Sequence, residues 1–233
     1  MNKPNILIVM TDHQRADTVH PGSRAISPNV KRLAEKGITF TNAFCPSPHC
    51  CPSRASFFSG LYPSGHGVWN NVGNDQALSR GLKPGVTLWS EDLSRAGYNL
   101  FFSGKWHVSV EESPANRGWT ELMPYNLKTE DNKKLWDYLS ETLPHEKTPL
   151  RGEGDILRTG YTPYKLYASR NATDKDHDVI AVNSVLEKLS GLSESPDPWC
   201  MFLGLIGPHD PYNVPGKYLD MYDIDDVKLP PSF

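Results

Sequence analysis

The chain has 233 residues and carries 24 Lys and Arg against 27 Asp and Glu, a net charge of −3. That balance excludes a general phosphate-backbone binder, which needs a basic excess, so no nucleic-acid partner is expected. Hydrophobic residues make up 38% and aromatics 10%, which excludes overall disorder and allows a sizeable core. No apolar run approaches the ~20 residues of a membrane span, so no membrane association is expected.

Ile6 to Met10 is apolar throughout, the pattern of a parallel strand buried on both faces. It is too short for a signal-peptide core, so a cytoplasmic protein is expected unless a leader has been removed. Ser27-Pro28 reads as N-cap and first position of a helix whose apolar stripe is Val30, Leu33 and Ala34, stopped by Gly37. Ile38 to Phe44 reads as a second strand. Pro52 opens a short helix that runs to Ser59 and ends at Gly60. Thr87 opens a helix through Ala96, and Tyr98 to Phe102 is a strand. Residues 111–172 are polar, Pro/Gly-rich and weakly periodic, so they read as excursions and loops. Val179, Val182, Leu186 and Leu189 recur at helical spacing, which predicts a helix over 174–190. Trp199 to Ile206 is a buried strand. No internal repeat or domain linker is visible.

The alternation of strands and helices predicts an α/β fold with a largely parallel central sheet covered on both faces. In such sheets ligands bind beyond the carboxyl ends of the strands. Three predicted strands end there in polar clusters: Asp12-His13, Lys105-x-His107 and His209-Asp210. Taken singly, each has an ordinary reading. Asp12 could cap a turn, Lys105 could be solvated, and a His after a strand could serve packing. Their recurrence points to a site.

The four cysteines are Cys45, Cys50, Cys51 and Cys200. Zinc through Cys45, His49, Cys50 and Cys51 is conceivable, but the paired C-x2-C spacing of structural zinc is missing. Buried free thiols are the ordinary alternative, and they suit Cys200 best. Cys50 and Cys51 lie between prolines at a helix start. Free backbone N–H groups and the helix dipole favour anions there. Arg54, four residues after Cys50, falls on the same side of that helix.

Cys50-Cys51-Pro52-Ser53-Arg54 resembles the sulfatase signature C-x-P-S-R, with Cys51 at the variable position. Residues 5–12 resemble that family's opening strand and its metal-binding Asp. Gly104-Lys105-Trp106-His107 is similar to its second signature, and Pro208-His209-Asp210-Pro211 to a segment supplying a further active-site His. The resemblance implies an alkaline-phosphatase-like fold. It also implies that a formylglycine-generating maturation enzyme oxidises Cys50 to formylglycine, which hydrates to a diol. One diol oxygen would attack the sulfur of a small-molecule or carbohydrate sulfate ester. A divalent metal held by Asp12 and the modified Cys50 would assist, Ca²⁺ first, with Mg²⁺ or Mn²⁺ as alternatives. Lys105 would bind a sulfate oxygen and Arg54 would steady the formylglycine. His209 would act near the leaving oxygen. His107 would deprotonate the second hydroxyl, so that elimination of sulfate restores the aldehyde.

Where many sulfatases carry two adjacent acids, this chain has Asp12-His13. His13 is a nitrogen ligand or points away; the second is preferred, because a hard cation favours oxygen. The family's second metal-ligand pair and its further sulfate-binding Lys have no match before Phe233. The resemblance therefore implies an N-terminal part of a sulfatase catalytic domain, which could be inactive alone. Two other functions compete. One is a phosphonate monoester or phosphodiester hydrolase using the same aldehyde; the other is a non-catalytic ligand-binding homologue.

Overall fold

The structure, a computed structural model, describes residues 3–20, 22–123, 155–156, 164–165, 167–170, 176–210 and 212–227. In chain order the elements are β1 (Ile6–Met10), α1 (Pro28–Lys36), α2 (Cys50–Ser59), α3 (Pro63–His66) and α4 (Trp89–Arg95). There follow β2 (Asn99–Gly104), β3 (Thr120–Glu121), β4 (Asp155–Ile156), β5 (Tyr164–Lys165) and β6 (Tyr167–Arg170). The last four are α5 (His177–Leu192), β7 (Trp199–Gly204), β8 (Tyr212–Pro215) and α6 (Gly216–Leu219).

The chain alternates between two compact units. The first takes Met1–His13, Phe40–Leu127 and His177–Gly207; the second takes Gln14–Thr39, Lys128–Asp176 and Pro208–Phe233. Because both are discontinuous, neither boundary leaves a linker for composition to reveal.

The first unit holds a four-stranded parallel sheet in the order β1-β7-β2-β3. Ile6 pairs with Cys200 and Leu100 with the same Cys200, so β7 is central. Side chains alternate across the pleat. Leu100, Phe102, Cys200 and Phe202 join a core with Cys51, Ala55, Phe58 and Trp106 on one face. Phe101, Met201 and Leu203 join Ala181 and Val185 of α5 on the other. Helices thus flank both faces, as expected.

β1 departs from the expectation of burial on both faces. Ile6, Ile8 and Met10 pack on the first core, whereas Leu7 and Val9 are about half exposed. Among the described residues β1 lies at the sheet edge, and α5 packs on β2 and β7. The expected strand over Ile38–Phe44 does not form, and Ile38, Phe40 and Phe44 are largely exposed. A β-rich run becomes a strand only beside a partner, and propensity cannot supply one. Part of the expected loop span 111–172 is also more ordered than predicted. Pro114–Arg117 forms a 3-10 turn, and Phe101 and Phe102 pair with Thr120 and Glu121.

In the second unit, β6 pairs with β8 in parallel and β4 with β5 antiparallel. The α1 helix forms where Ser27-Pro28 predicts, but its stripe residues Val30 and Leu33 are exposed. The Ile26 N–H donates to the Tyr222 hydroxyl at 2.7 Å, tying this segment to the chain beyond α6. No described helix is long and apolar enough to cross a membrane.

Candidate active site

The site is built at the carboxyl ends of β1 and β2 and at the start of α2. Cys50 is the first residue of α2, with His49 as its N-cap, so the helix begins two residues earlier than Pro52 predicts. The Ser53 N–H donates to the His49 carbonyl at 3.0 Å, which closes the first turn around Pro52. Cys51, Ala55 and Phe58 are fully buried on the core side of this helix. The Phe58 ring lies 4.8 Å from Trp106 and 5.0 Å from Phe202, which anchors α2 on the sheet. Cys50 and Arg54, one turn apart, are left to face the strand ends.

The two adjacent cysteines separate cleanly. The Cys51 sulfur accepts the Val72 N–H at 3.5 Å within the core, and burial pushes its thiol up to about 11. Cys50 is half-buried, and its thiol donates to Asp12 Oδ1 at 3.2 Å. Burial raises its pKa, and the neighbouring Asp12 charge adds to the rise. Cys50 is therefore a protonated thiol at neutral pH, which is a poor nucleophile and a poor metal ligand.

Asp12 lies two residues beyond β1 and is 5% exposed. Its Oδ2 accepts Arg54 Nη2 at 3.1 Å and Lys105 Nζ at 2.7 Å. Burial alone would raise this carboxyl. The Lys105 ammonium, the Arg54 guanidinium and the Cys50 hydrogen bond outweigh it and hold the pKa at about 2. Asp12 is ionised at neutral pH.

Arg54 is 3% exposed, and its second nitrogen donates to the Lys105 carbonyl at 2.7 Å. One guanidinium thus fixes both the Asp12 carboxylate and the backbone that carries Lys105. That loop can turn where it does because Gly104 and Gly204 are paired and lack side chains. A Cβ on Gly104, whose φ is +88°, would lie 2.0 Å from the Gly204 carbonyl oxygen. Trp106 is fully buried, with its indole N–H donating to the Glu112 carbonyl at 3.1 Å. Its neighbours Lys105 and His107 both keep some exposure.

His13 and His107 are the two non-glycine residues with positive φ among the described residues, at 60° and 56°. Such conformations are uncommon and collect at functional sites. His13 directly follows Asp12 after β1, and His107 lies two residues after Lys105 beyond β2. His13 is exposed. Among the described residues, no group of three close His, Cys, Asp or Glu donors includes His13, Cys45, His49 or Cys51. Cys45 is exposed, and its thiol donates to the Ser47 carbonyl. The conceivable zinc set is thus not assembled.

His209 belongs to the second unit, where its Nδ1 lies 2.5 Å from the Asp210 carbonyl oxygen. His66 is fully buried and its pKa is lowered by burial. Its Nδ1 accepts the Val68 N–H at 3.1 Å, so Nε2 carries the proton toward Ser56 Oγ at 2.9 Å. That pairing braces α2. Sequence reading overlooked Asn71, whose Oδ1 accepts the Cys51 N–H at 3.2 Å beside the candidate nucleophile. An Asn-Asn pair after a Gly-Val-Trp run carries no signal of this role.

A model of the family described as Sulfatase matches residues 4–228. The chain belongs to the sulfatase family. A choline-sulfatase of Rhizobium meliloti (strain 1021) is 29% identical over 238 residues, covering 95% of this chain and 41% of that sulfatase. An N-acetylglucosamine-6-sulfatase of Homo sapiens is 30% identical over 223 residues, covering 93% of this chain and 36% of the relative. A phosphonate monoester hydrolase from Silicibacter pomeroyi has a similar solved structure, with a TM-score of 0.67 at 19% identity over 98% of this chain and 46% of that one. At that identity the likeness shows the fold, and it is the alkaline-phosphatase-like α/β fold expected for a sulfatase. The chain spans less than half the length of each of these relatives.

Proposed function

We propose that this chain carries the nucleophile side of a sulfatase active site. That site cleaves a sulfate monoester of a small molecule or carbohydrate through a formylglycine made from Cys50. The observation that carries the reading is the placement of Cys50, not Cys51, against the Asp12–Arg54–Lys105 cluster. The protonated thiol is no ready nucleophile, which favours a role for Cys50 only after oxidation by a maturation enzyme. Once oxidised, residue 50 supplies a hydrated aldehyde and hence an oxygen nucleophile.

Sulfate-ester cleavage at sulfur spreads negative charge over the sulfuryl oxygens. Lys105 supplies an ammonium for one of those oxygens. Arg54 holds residue 50, Asp12 and the Lys105 loop in one frame. His107, half-buried two residues after Lys105, takes the proton that must leave residue 50 before sulfate departs.

The donor set suits a hard divalent cation. Asp12 offers an ionised carboxylate, and oxidation would turn the adjacent Cys50 into an oxygen donor. Asp12 and residue 50 would hold the ion, with Ca²⁺ favoured over Mg²⁺ or Mn²⁺. When bound, it supplies Lewis-acid polarisation of the sulfate.

Mass spectrometry of the Cys50 peptide from matured protein, with assays on matched aryl sulfate and aryl phosphate diesters, tests the reading. Formylglycine at position 50 and preference for the sulfate support it. Preference for the diester would install the phosphodiesterase reading instead. An unmodified Cys50 without hydrolysis would install a binding role.

A further inference from the structure

We propose that Asp178 is a positioning residue that sets the Asp12 carboxylate from the opposite face of the sheet. β2 leaves the sheet at Gly104, and its last bond to β7 is from the Lys105 N–H to the Gly204 carbonyl at 2.8 Å. Beyond that point the backbone of residues 205–207 has lost its neighbour on the β2 side. Asp178, in the first turn of α5, replaces it. Its Oδ1 accepts the Ile206 N–H and its Oδ2 the Gly207 N–H, both at 2.8 Å.

On the other edge, the same backbone continues the ladder to β1. The Leu205 N–H donates to the Met10 carbonyl at 2.8 Å, and the Gly207 carbonyl accepts the Asp12 N–H at 3.2 Å. One carboxylate therefore holds the N–H of Gly207, the residue whose carbonyl, in the next peptide unit, holds Asp12. An acid in the first turn of a helix ordinarily caps that helix's own N–H groups. Asp178 instead spends both oxygens on residues 28 and 29 positions away. Burial would raise its pKa; the His177 side chain and these two N–H groups overcome that and lower it. Fit is close on the far side too. A Cβ on Gly207 would lie 3.1 Å from Asp178 Oδ2.

The catalytic meaning of this link rests on the sulfatase reading, but the link itself does not. It is tested on unmatured protein, where Cys50 is still a thiol, in a Cys45→Ser background. Cys45 is exposed, while Cys51 and Cys200 are buried. The probe is iodoacetamide, followed at the Cys50 peptide by mass spectrometry. The Cys50 thiol is held by its hydrogen bond to Asp12 Oδ1, so weakening that acceptor in Asp12→Asn should speed alkylation. A gain of about threefold or more is expected once the thiol is released from that hydrogen bond.

Asp178→Ala should give a similar gain by releasing the Asp12 backbone. Asp178→Asn keeps one acceptor oxygen and should fall between Asp178→Ala and the unsubstituted protein. The double variant Asp12→Asn/Asp178→Ala should be no faster than Asp12→Asn alone. Unchanged alkylation in the Asp178 variants, or gains that multiply in the double variant, would overturn the proposal. Should Asp178→Ala expose Cys51 and Cys200 to the probe, it has unfolded and Asp178→Asn decides in the same way. None of these readings needs hydrolysis, so a failure here stays distinct from a failure of the sulfatase assignment.

Discussion

Cys50 and Cys51 are neighbours in the chain that face different surroundings. One thiol donates to a buried carboxylate, and the other sulfur accepts a backbone N–H inside the aromatic core. Replacing each should therefore cost different things. Cys50→Ala should abolish turnover while changing stability by less than about 1 kcal/mol. Cys51→Ser places a hydroxyl among Ala55, Phe58 and Val72 and should cost about 1–3 kcal/mol. Urea melts and sulfate-ester assays on the two variants check both halves of this statement.

Acid should unfold the protein partly through Asp12. Its native pKa of about 2 lies below the usual 3.8. The resulting stability is fully present above about pH 4 and is lost as the pH falls toward 2. A difference of nearly two units corresponds to about 2 kcal/mol. At the alkaline end, Cys51 and Cys200 are held up to about 11 by burial, against 9.0 unperturbed. Their contribution is complete below about pH 9 and declines as the pH rises through 11. Stability measured across pH 2–5 for wild type and Asp12→Asn should show the acid slope flattened in the variant.

Arg54→Lys retains the charge but not the fork. A lysine cannot reach both the Lys105 carbonyl and Asp12 Oδ2 in the present geometry. We expect kcat/KM to fall by about 10²–10³, the range seen when one preorganised donor is lost. A fall below tenfold would show that charge at this position suffices.

Gly104→Ala should be among the most damaging single substitutions. The new methyl would meet the Gly204 carbonyl at a backbone φ of +88°. Neither main chain can yield without breaking the β2–β7 ladder. A loss of about 3 kcal/mol or more in a denaturant melt is expected.

Chelation should separate activity from folding. Asp12 is already neutralised by Arg54 and Lys105, so its carboxylate is not left unpaired when a cation is withdrawn. Treatment of the matured enzyme with a chelator should remove hydrolysis and leave the melting temperature nearly unchanged. A large drop in melting temperature would show that the cation is a structural element of this unit.

How much of this was legible in the sequence depends on how local the cause is. Cys50 could be told from Cys51 because the resemblance to the C-x-P-S-R signature puts Cys51 at the variable position. Asp12 and Lys105, which the structure brings together, could be found because each follows a strand end. Ile38–Phe44 was misread because a strand needs a neighbour that composition does not display. Leu7 and Val9 were misread because an all-apolar strand looks the same at an edge as at the centre. Asp178 was invisible for a deeper reason. Its partners are backbone N–H groups, which every residue except proline possesses, so no residue type at 206 or 207 marks the contact.

The pairing of Ile6 with Cys200 has a consequence in time. During synthesis, Cys50 and Arg54 emerge long before residue 207, whose carbonyl holds Asp12 in place. At ordinary translation speeds that interval is on the order of ten seconds or more. Throughout it the thiol has no settled carboxylate beside it and no finished sheet beneath it. The sheet beneath Asp12 is completed only when β7 emerges, so the nascent chain exposes position 50 until that strand arrives.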